Sequence, residues 1–159
     1  MKNIVYGVNH DDIDDKDQII GAASCTTNAI VPVLKAIDDE FEIDNGHVET
    51  IHSYTNDQNL IDNYHSKSRR GRAAALNMVI TETGAAKAVS QILPNLEGKL
   101  SANAIRVPTP NVSLAILSLF LKKSSDQENF IEFLINAAFH SLLKDCLLYT
   151  SPSPRDLAV

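Results

Sequence analysis

Covalent chemistry in proteins often begins at a cysteine, and this sequence has two, Cys25 and Cys146. Cys25 lies in the run Ser24-Cys25-Thr26-Thr27-Asn28, where an apolar stretch gives way to a helical pattern. The first turn of a helix carries N–H groups without intrahelical partners and the positive end of the helix dipole, and both favour a thiolate over a thiol. Cys25 is therefore a candidate nucleophile. It should be the more reactive of the two thiols, because Cys146 stands in an aperiodic tail. The competing reading is a small buried cysteine that fills space. His52 is the second candidate, close to the end of the strand-like run Thr50-Ile51-His52-Ser53-Tyr54. An imidazole there could take the proton of a thiol, or of the adduct formed after attack. The plainer alternative is a half-buried histidine bonded to backbone.

A third group of residues has the chemistry of anion binding. Ser24, Thr26, Thr55, Thr83 and Gly84 offer hydroxyl and backbone donors, and Arg106 offers a guanidinium fork that matches phosphate. Thr83-Gly84 precedes a short helical pattern, so free N–H groups would point the same way. Singly these are ordinary surface residues. The basic run Lys67, Arg69, Arg70 and Arg72, interleaved with Ser66, Ser68 and Gly71, admits three readings: a nucleic-acid patch, a solvated loop, or a loop folded into a subunit interface.

These residues need elements to hold them. Residues 4–8 read as a short buried strand and residues 18–23 as a second, with an acidic loop between. A helical period then runs from Cys25, with Ala29, Ile30, Val33, Leu34 and Ile37 on one face and Asp38, Asp39 and Glu40 on the other. Pro32 falls within its first two turns. Asn45-Gly46 signals a turn that introduces a strand over residues 47–54. A polar, basic loop covers residues 55–72, a short helix residues 84–93 before Pro94, and strands residues 104–107 and 112–121. Ser125-Asp126-Gln127-Glu128 has the capping-box form, with Ser125 as the cap and Glu128 reaching back. The helix it opens turns Phe130, Phe133, Leu134 and Ala137 inward. This order predicts an α+β domain, helices packed on one face of a mixed or antiparallel sheet.

Composition narrows the function classes. Hydrophobic residues make up 44% and charged residues 21%, which suits a globular chain. The net charge of −6 argues against nucleic acid as the main partner, and makes the nucleic-acid reading of the basic run the weakest. No apolar run approaches the roughly 20 residues of a membrane span. Residues 1–12 lack the apolar stretch and cleavage site of a signal peptide. With only two cysteines, in very different contexts, a disulfide framework is not expected and a reducing cytosol is the default compartment.

Five motifs, in order, are more specific than these generalities. SCTTN at residues 24–28, HSYTNDQ at 52–58, RRGRAAA at 69–75, TGAAKAV at 83–89 and RVPTPNVS at 106–113 resemble the phosphorylating glyceraldehyde-3-phosphate dehydrogenases. The resemblance runs from about residue 4 to about residue 143. It includes a T-I-H strand whose histidine follows the cysteine by 52 − 25 = 27 positions. It implies that Cys25 attacks an aldehyde, that His52 is the acid–base partner, and that NAD is the cofactor. It implies further that Thr55 and Arg106 hold the substrate phosphate, and that Ser24, Thr26, Thr83 and Gly84 hold attacking inorganic phosphate. Residues 54–74 match a loop that the family uses at a subunit interface, which implies a homo-oligomer, a tetramer at full length. The same resemblance assigns residues 1–24 to the final, Rossmann-type strands of a dinucleotide-binding domain and residues 25–144 to an incomplete catalytic domain. Residues 145–159 read as a non-native tail. A chain so divided should form no NADH by itself, because most cofactor residues have no counterpart in it. Three alternatives stand beside this reading: an erythrose-4-phosphate dehydrogenase, a thiol hydrolase built on Cys25 and His52, and an inactive anion-binding fragment.

Overall fold

The computed structural model describes residues 1–67, 69–141 and 143–144; Ser68, Cys146 and the tail of residues 145–159 lie outside them. The chain divides into two compact units, Met1–Glu42 with Leu121–Val159, and Ile43–Phe120.

In the first unit, β1 (Lys2–Asn3) and β2 (Ile20–Gly21) pair in parallel, Lys2 opposite Ile20. Both strands are shorter than the apolar runs suggest. Ile4 and Val5 are buried, but the chain turns at once, and Val8 N–H bonds back to the Val5 carbonyl at 3.1 Å. The acidic loop folds around a single cation. Lys2 Nζ donates to the Asp12 carbonyl at 2.8 Å, to Asp14 at 3.3 Å and to Asp17 at 2.7 Å. The hydrogen bond to Asp17 raises the Lys2 pKa, and the same bond lowers that of Asp17.

Helix α1 (Cys25–Phe41) buries Ile30, Val31, Leu34, Ala36, Ile37 and Phe41. The sequence expectation put Ala29 and Val33 inward, but Ala29 is exposed and Val33 only half-buried. Val31 and Ala36 do that work, because the buried stripe is centred about one residue away. Pro32 is buried inside the helix, which continues through it. The helix stops at Glu42, whose φ of 56° turns the chain while its N–H still reaches the Asp38 carbonyl at 3.0 Å. Phe41 then meets Phe130 and Phe133 of α3 (Gln127–His140), with ring centroids 5.3 and 5.1 Å apart. The cap of α3 is Asp126 rather than Ser125: its carboxylate accepts from the Asn129 N–H at 2.8 Å and from Asn129 Nδ2 at 2.8 Å. A carboxylate is the stronger acceptor at a helix N-terminus, so the helix begins one residue later than the capping box implies. Of the residues expected inward on α3, Ala137 is buried and Phe130, Phe133 and Leu134 are half-buried.

The second unit is built on a mixed sheet of order β4-β5-β3-β6 among the described residues. Its strands are β3 (Ile43–Ser53), β4 (Val79–Thr81), β5 (Leu100–Val107) and β6 (Ser113–Leu121). β3 and β5 run parallel and β4 and β5 antiparallel, an α+β arrangement. Asn45-Gly46 is not a turn; β3 runs straight through it. A Cβ on Gly46 would stand 2.7 Å from the Ser118 carbonyl and 2.7 Å from Leu119 Cδ2, so glycine serves the close approach of β6. β4 is a strand that no sequence signal announced, because three residues are too few to show alternation. Helix α2 (Ala85–Ile92) packs against β5, and Pro94 opens a short 3₁₀ turn after it.

Two outcomes test this packing. Leu34 is fully buried, so Leu34→Ala should cost about 2–5 kcal/mol in urea unfolding. The Lys2–Asp17 pair contributes above the carboxylate titration range and is lost as pH falls through the lowered Asp17 pKa; on the alkaline side it is lost only above the raised Lys2 pKa. Ile4, whose N–H bonds to the Gly21 carbonyl at 2.8 Å, should therefore exchange its amide proton faster in Lys2→Met than in the wild type at pH near 7. That difference should vanish in strong acid and shrink in high salt.

Candidate functional site

The residues singled out in the sequence fall in both units. Ser24, Cys25 and Thr26 belong to the first, and His52, Thr55, Thr83, Gly84 and Arg106 to the second.

Cys25 is exposed and is the first residue of α1. The space-filling alternative is thereby corrected: this cysteine fills no core. A compact turn holds it there. Ser24 is the N-cap; its Oγ accepts from the Thr27 N–H at 3.1 Å and lies 2.7 Å from Thr27 Oγ1. Thr27 is completely buried, so the cap is anchored from below. Ala23, just before it, has φ 56°. That is the left-handed region, which costs a non-glycine residue roughly 1–2 kcal/mol. Asn28 offsets this strain. Its side-chain amide donates to the Ala22 carbonyl at 2.7 Å and to the Ser24 carbonyl at 2.9 Å, tying together the two residues that flank Ala23. The sequence reading passed over Asn28. An amide one helical turn after a candidate cap was the available sign, since asparagine is a frequent partner of nearby backbone.

His52 is nearly buried, at 9% exposure. It alternates along β3 with half-buried neighbours, sharing its face with Val48 and Thr50. The parallel register of β3 and β5 sets His52 directly opposite Arg106. Their side chains meet: Arg106 Nη1 lies 2.7 Å from His52 Nδ1 and donates to the Ser53 carbonyl at 3.0 Å. His52 Nδ1 also lies 2.7 Å from that carbonyl. The expected candidate base and candidate anion receptor are thus adjacent, which spacing alone could not indicate.

The remaining donors sit on turns. Thr55 is half-buried, and its carbonyl accepts from the Gln58 N–H at 3.0 Å. Gly84 caps α2 without a side chain, and Thr83 Oγ1 takes the Ala85 N–H at 3.2 Å. One of the N–H groups expected to be free at this helix start is therefore already used.

The basic run is neither a patch nor a free loop. Arg70 and Lys67 both pair with Asp57, and Arg72 pairs with Asp62 at 3.4 Å. Arg70 also donates from Nε to Thr81 Oγ1 at 3.1 Å and from Nη2 to the Glu82 carbonyl at 3.3 Å. Arg69, at φ 67°, reaches the Ile80 carbonyl at 3.3 Å. These bonds fasten the long loop to β4, just ahead of Thr83 and Gly84. Among the described residues, no group of three or more His, Cys, Asp or Glu side chains could hold a metal ion.

Comparison with known proteins decides the family. Residues 24–154 match the glyceraldehyde 3-phosphate dehydrogenase C-terminal domain. The chain belongs to the glyceraldehyde-3-phosphate dehydrogenase family. It is 64% identical over 151 residues to a glyceraldehyde-3-phosphate dehydrogenase-like protein of Pseudomonas aeruginosa (strain UCBPP-PA14), an alignment covering 95% of this chain and 33% of that protein. It is 45% identical over 152 residues to the glyceraldehyde-3-phosphate dehydrogenase of Clostridium pasteurianum (94% of this chain, 44% of the relative). The figure for that of Mycobacterium avium is 52% over 136 residues (86% and 39%). The chain thus spans between a third and less than half the length of these curated relatives. Family membership gives the Cys25 turn its context, since residues 24–28 open the matched domain.

The cap makes its own prediction. Ser24→Ala should destabilise the first unit by about 1 kcal/mol, the usual worth of a serine N-cap. Ser24→Asp should restore most of that loss, because its carboxylate can accept the same N–H. Urea midpoints of the three proteins check both outcomes.

Proposed function

We propose that a full-length enzyme carrying this chain as its catalytic domain oxidises and phosphorylates glyceraldehyde 3-phosphate to 1,3-bisphosphoglycerate, a step of glycolysis. The observation that carries this reading is the exposed Cys25 at the capped start of α1, an accessible sulfur at a helix N-terminus. It stands in a chain whose relatives bear the name of an aldehyde-oxidising enzyme.

In this reading the Cys25 sulfur adds to the aldehyde carbon, and the hydroxyl of the resulting hemithioacetal gives its proton to His52. NAD, the implied cofactor, would supply the hydride acceptor needed for oxidation to the thioester. None of the described residues is assigned to the dinucleotide; they supply the nucleophile, the base and the anion donors. An oxygen of inorganic phosphate then attacks the thioester carbonyl, and Cys25 leaves as thiolate, giving the acyl phosphate. Thr55 and Arg106 are assigned to the substrate phosphate, and Ser24, Thr26, Thr83 and Gly84 to inorganic phosphate. Because Ser24 Oγ already accepts from the Thr27 N–H and Thr83 Oγ1 from the Ala85 N–H, backbone N–H groups would carry part of that second role.

Residues 1–24 form the end of a dinucleotide-binding domain in this proposal, and residues 25–144 the catalytic domain. A homo-oligomer, a tetramer at full length, is part of the same reading. Its support is the exposed apolar side chains Ile80 on β4 and Leu114, Ile116 and Phe120 on β6, the kind of surface that marks association. Cytosol is the matching compartment, where the nucleophilic thiol stays reduced.

Steady-state NADH formation tests the proposal. It should require aldehyde and inorganic phosphate together, and Cys25→Ser should abolish it. His52→Asn should lower kcat by about 10²–10⁴-fold with little change in KM, as for a positioned acid–base group. Faster turnover of erythrose 4-phosphate than of glyceraldehyde 3-phosphate would reassign the substrate.

A further inference from the structure

The sheet of the second unit has one buried face, marked by Val48, Thr50 and Ala104. Side chains alternate along a strand, so His47, Glu49 and Ile51 of β3 belong to the open face. The register sets Ser101 opposite His47, Asn103 opposite Glu49 and Ile105 opposite Ile51, and β4 continues the last pair with Ile80 opposite Ile105. An apolar row thus lies beside a polar one, and the exposed Ile116 and Phe120 of β6 extend the apolar surface.

The polar residues form a chain. His47 Nδ1 lies 2.8 Å from Ser101 Oγ, His47 Nε2 lies 2.5 Å from Asn103 Oδ1, and Asn103 Nδ2 donates to Glu49 Oε1 at 3.3 Å. A carboxylate only accepts, so Glu49 draws the amide nitrogen to itself and leaves the amide oxygen facing the ring. That oxygen also only accepts, so Nε2 carries a proton whatever the charge of the ring. Nδ1 is left to gain or lose one. In the neutral ring it accepts from the Ser101 hydroxyl. In the imidazolium it donates to the same oxygen, and the hydroxyl hydrogen turns to the Gly46 carbonyl, 3.4 Å away. The chain takes up a proton without losing a contact.

Charge decides which state can be covered. β4 and β6 contain no ionisable side chain, and the one on β5, Arg106, meets His52. Lys99, just before β5, donates to the Ile43 carbonyl at 2.8 Å, and Asp44 at the start of β3 accepts from Asn45. Among the described residues no lysine or arginine pairs with Glu49, which is the fixed charge of the open face. Covering that face with a neutral His47 would bury an unbalanced carboxylate, and two copies meeting there would bury two. With His47 protonated, the chain from ring to carboxylate has no net charge.

We propose that two copies of this chain meet through the open face of the sheet, and that each takes up a proton at His47 as the faces close. This rests on the homo-oligomer of the functional reading. A second copy is the occupant that fits, because it brings the same apolar row and the same balanced chain, and a two-fold contact then leaves no charge uncompensated. The associated state binds more protons than the separate copies, so association strengthens as pH falls through the range in which histidine changes charge, and weakens as pH rises through it.

Sedimentation of the full-length enzyme near pH 6 and pH 8 tests this. The wild type should associate about tenfold more tightly at the lower pH, a usual size for a binding coupling. Glu49→Gln can still accept from Asn103 but carries no charge. It should associate at pH 8 about as tightly as the wild type at pH 6, and lose the preference for acid. His47→Gln should keep the weaker constant at both pH values. Ile116→Ser should weaken association at both, because it thins the apolar surface of the same face. An oligomer indifferent to pH, or one whose preference for acid survives in Glu49→Gln, would overturn the proposal and leave the homo-oligomer standing. Indifference to Ile116→Ser would also overturn it, by putting the contact on another surface. A chain monomeric at every pH and concentration would overturn the homo-oligomer reading and the proposal together.

Discussion

Much of the candidate site depends on one pairing, the parallel register of β3 and β5 that sets His52 opposite Arg106. Side chains alternate across a sheet, so a slip of one residue in either strand would send one of the pair to the other face. The register is held from several directions. Val48 and Thr50 are buried on the His52 face, and slippage would trade them for Glu49 and Ile51. On the outer side of β5, β4 sets Val79 opposite Arg106 and Thr81 opposite Ala104. On the outer side of β3, β6 approaches so closely at Gly46 that a methyl group there would collide with its backbone. The meeting of an imidazole with a guanidinium is thus a product of sheet geometry, with neither residue near the other in sequence.

The Cys25 turn solves a different problem. A nucleophile must be exposed, yet its backbone must be held, and a surface turn has little core to hold it. This chain anchors the turn from within, through the buried Thr27 beneath the cap, and ties it across with the Asn28 amide. These bonds tolerate a non-glycine residue at positive φ, Ala23, beside the nucleophile. Strain of that size persists only where the surroundings over-determine the conformation, and it gathers where function needs a side chain presented in one direction. The long polar loop is held by the same principle in ionic form. Asp57 gathers Lys67 and Arg70, and Arg70 passes on to Thr81 and Glu82. Loop residues without an apolar period acquire a fixed path from hydrogen bonds that a hydrophobic pattern cannot encode.

Sequence alone determined the parts of this protein whose physics is local. The start of α1 at Cys25, the break at Pro94 and the α+β class all follow from periods and breakers within a few residues of each other. The five ordered motifs carried the family. Where two local signals competed, the pattern misled: the capping box at Ser125 lost to the stronger carboxylate of Asp126, and the turn signal at Asn45-Gly46 lost to strand pairing. Only tertiary structure decided what depends on neighbours distant in the chain. Gly46 is glycine because of Ser118 and Leu119; β4 exists because β5 supplies its hydrogen bonds; Arg70 and Arg72 are ion-paired because Asp57 and Asp62 fold back onto them. His52 and Arg106, 54 positions apart, could each be recognised in the sequence as chemically capable. That both meet at the Ser53 carbonyl is a property of register, and register is set by the buried face of a whole sheet rather than by any residue within it.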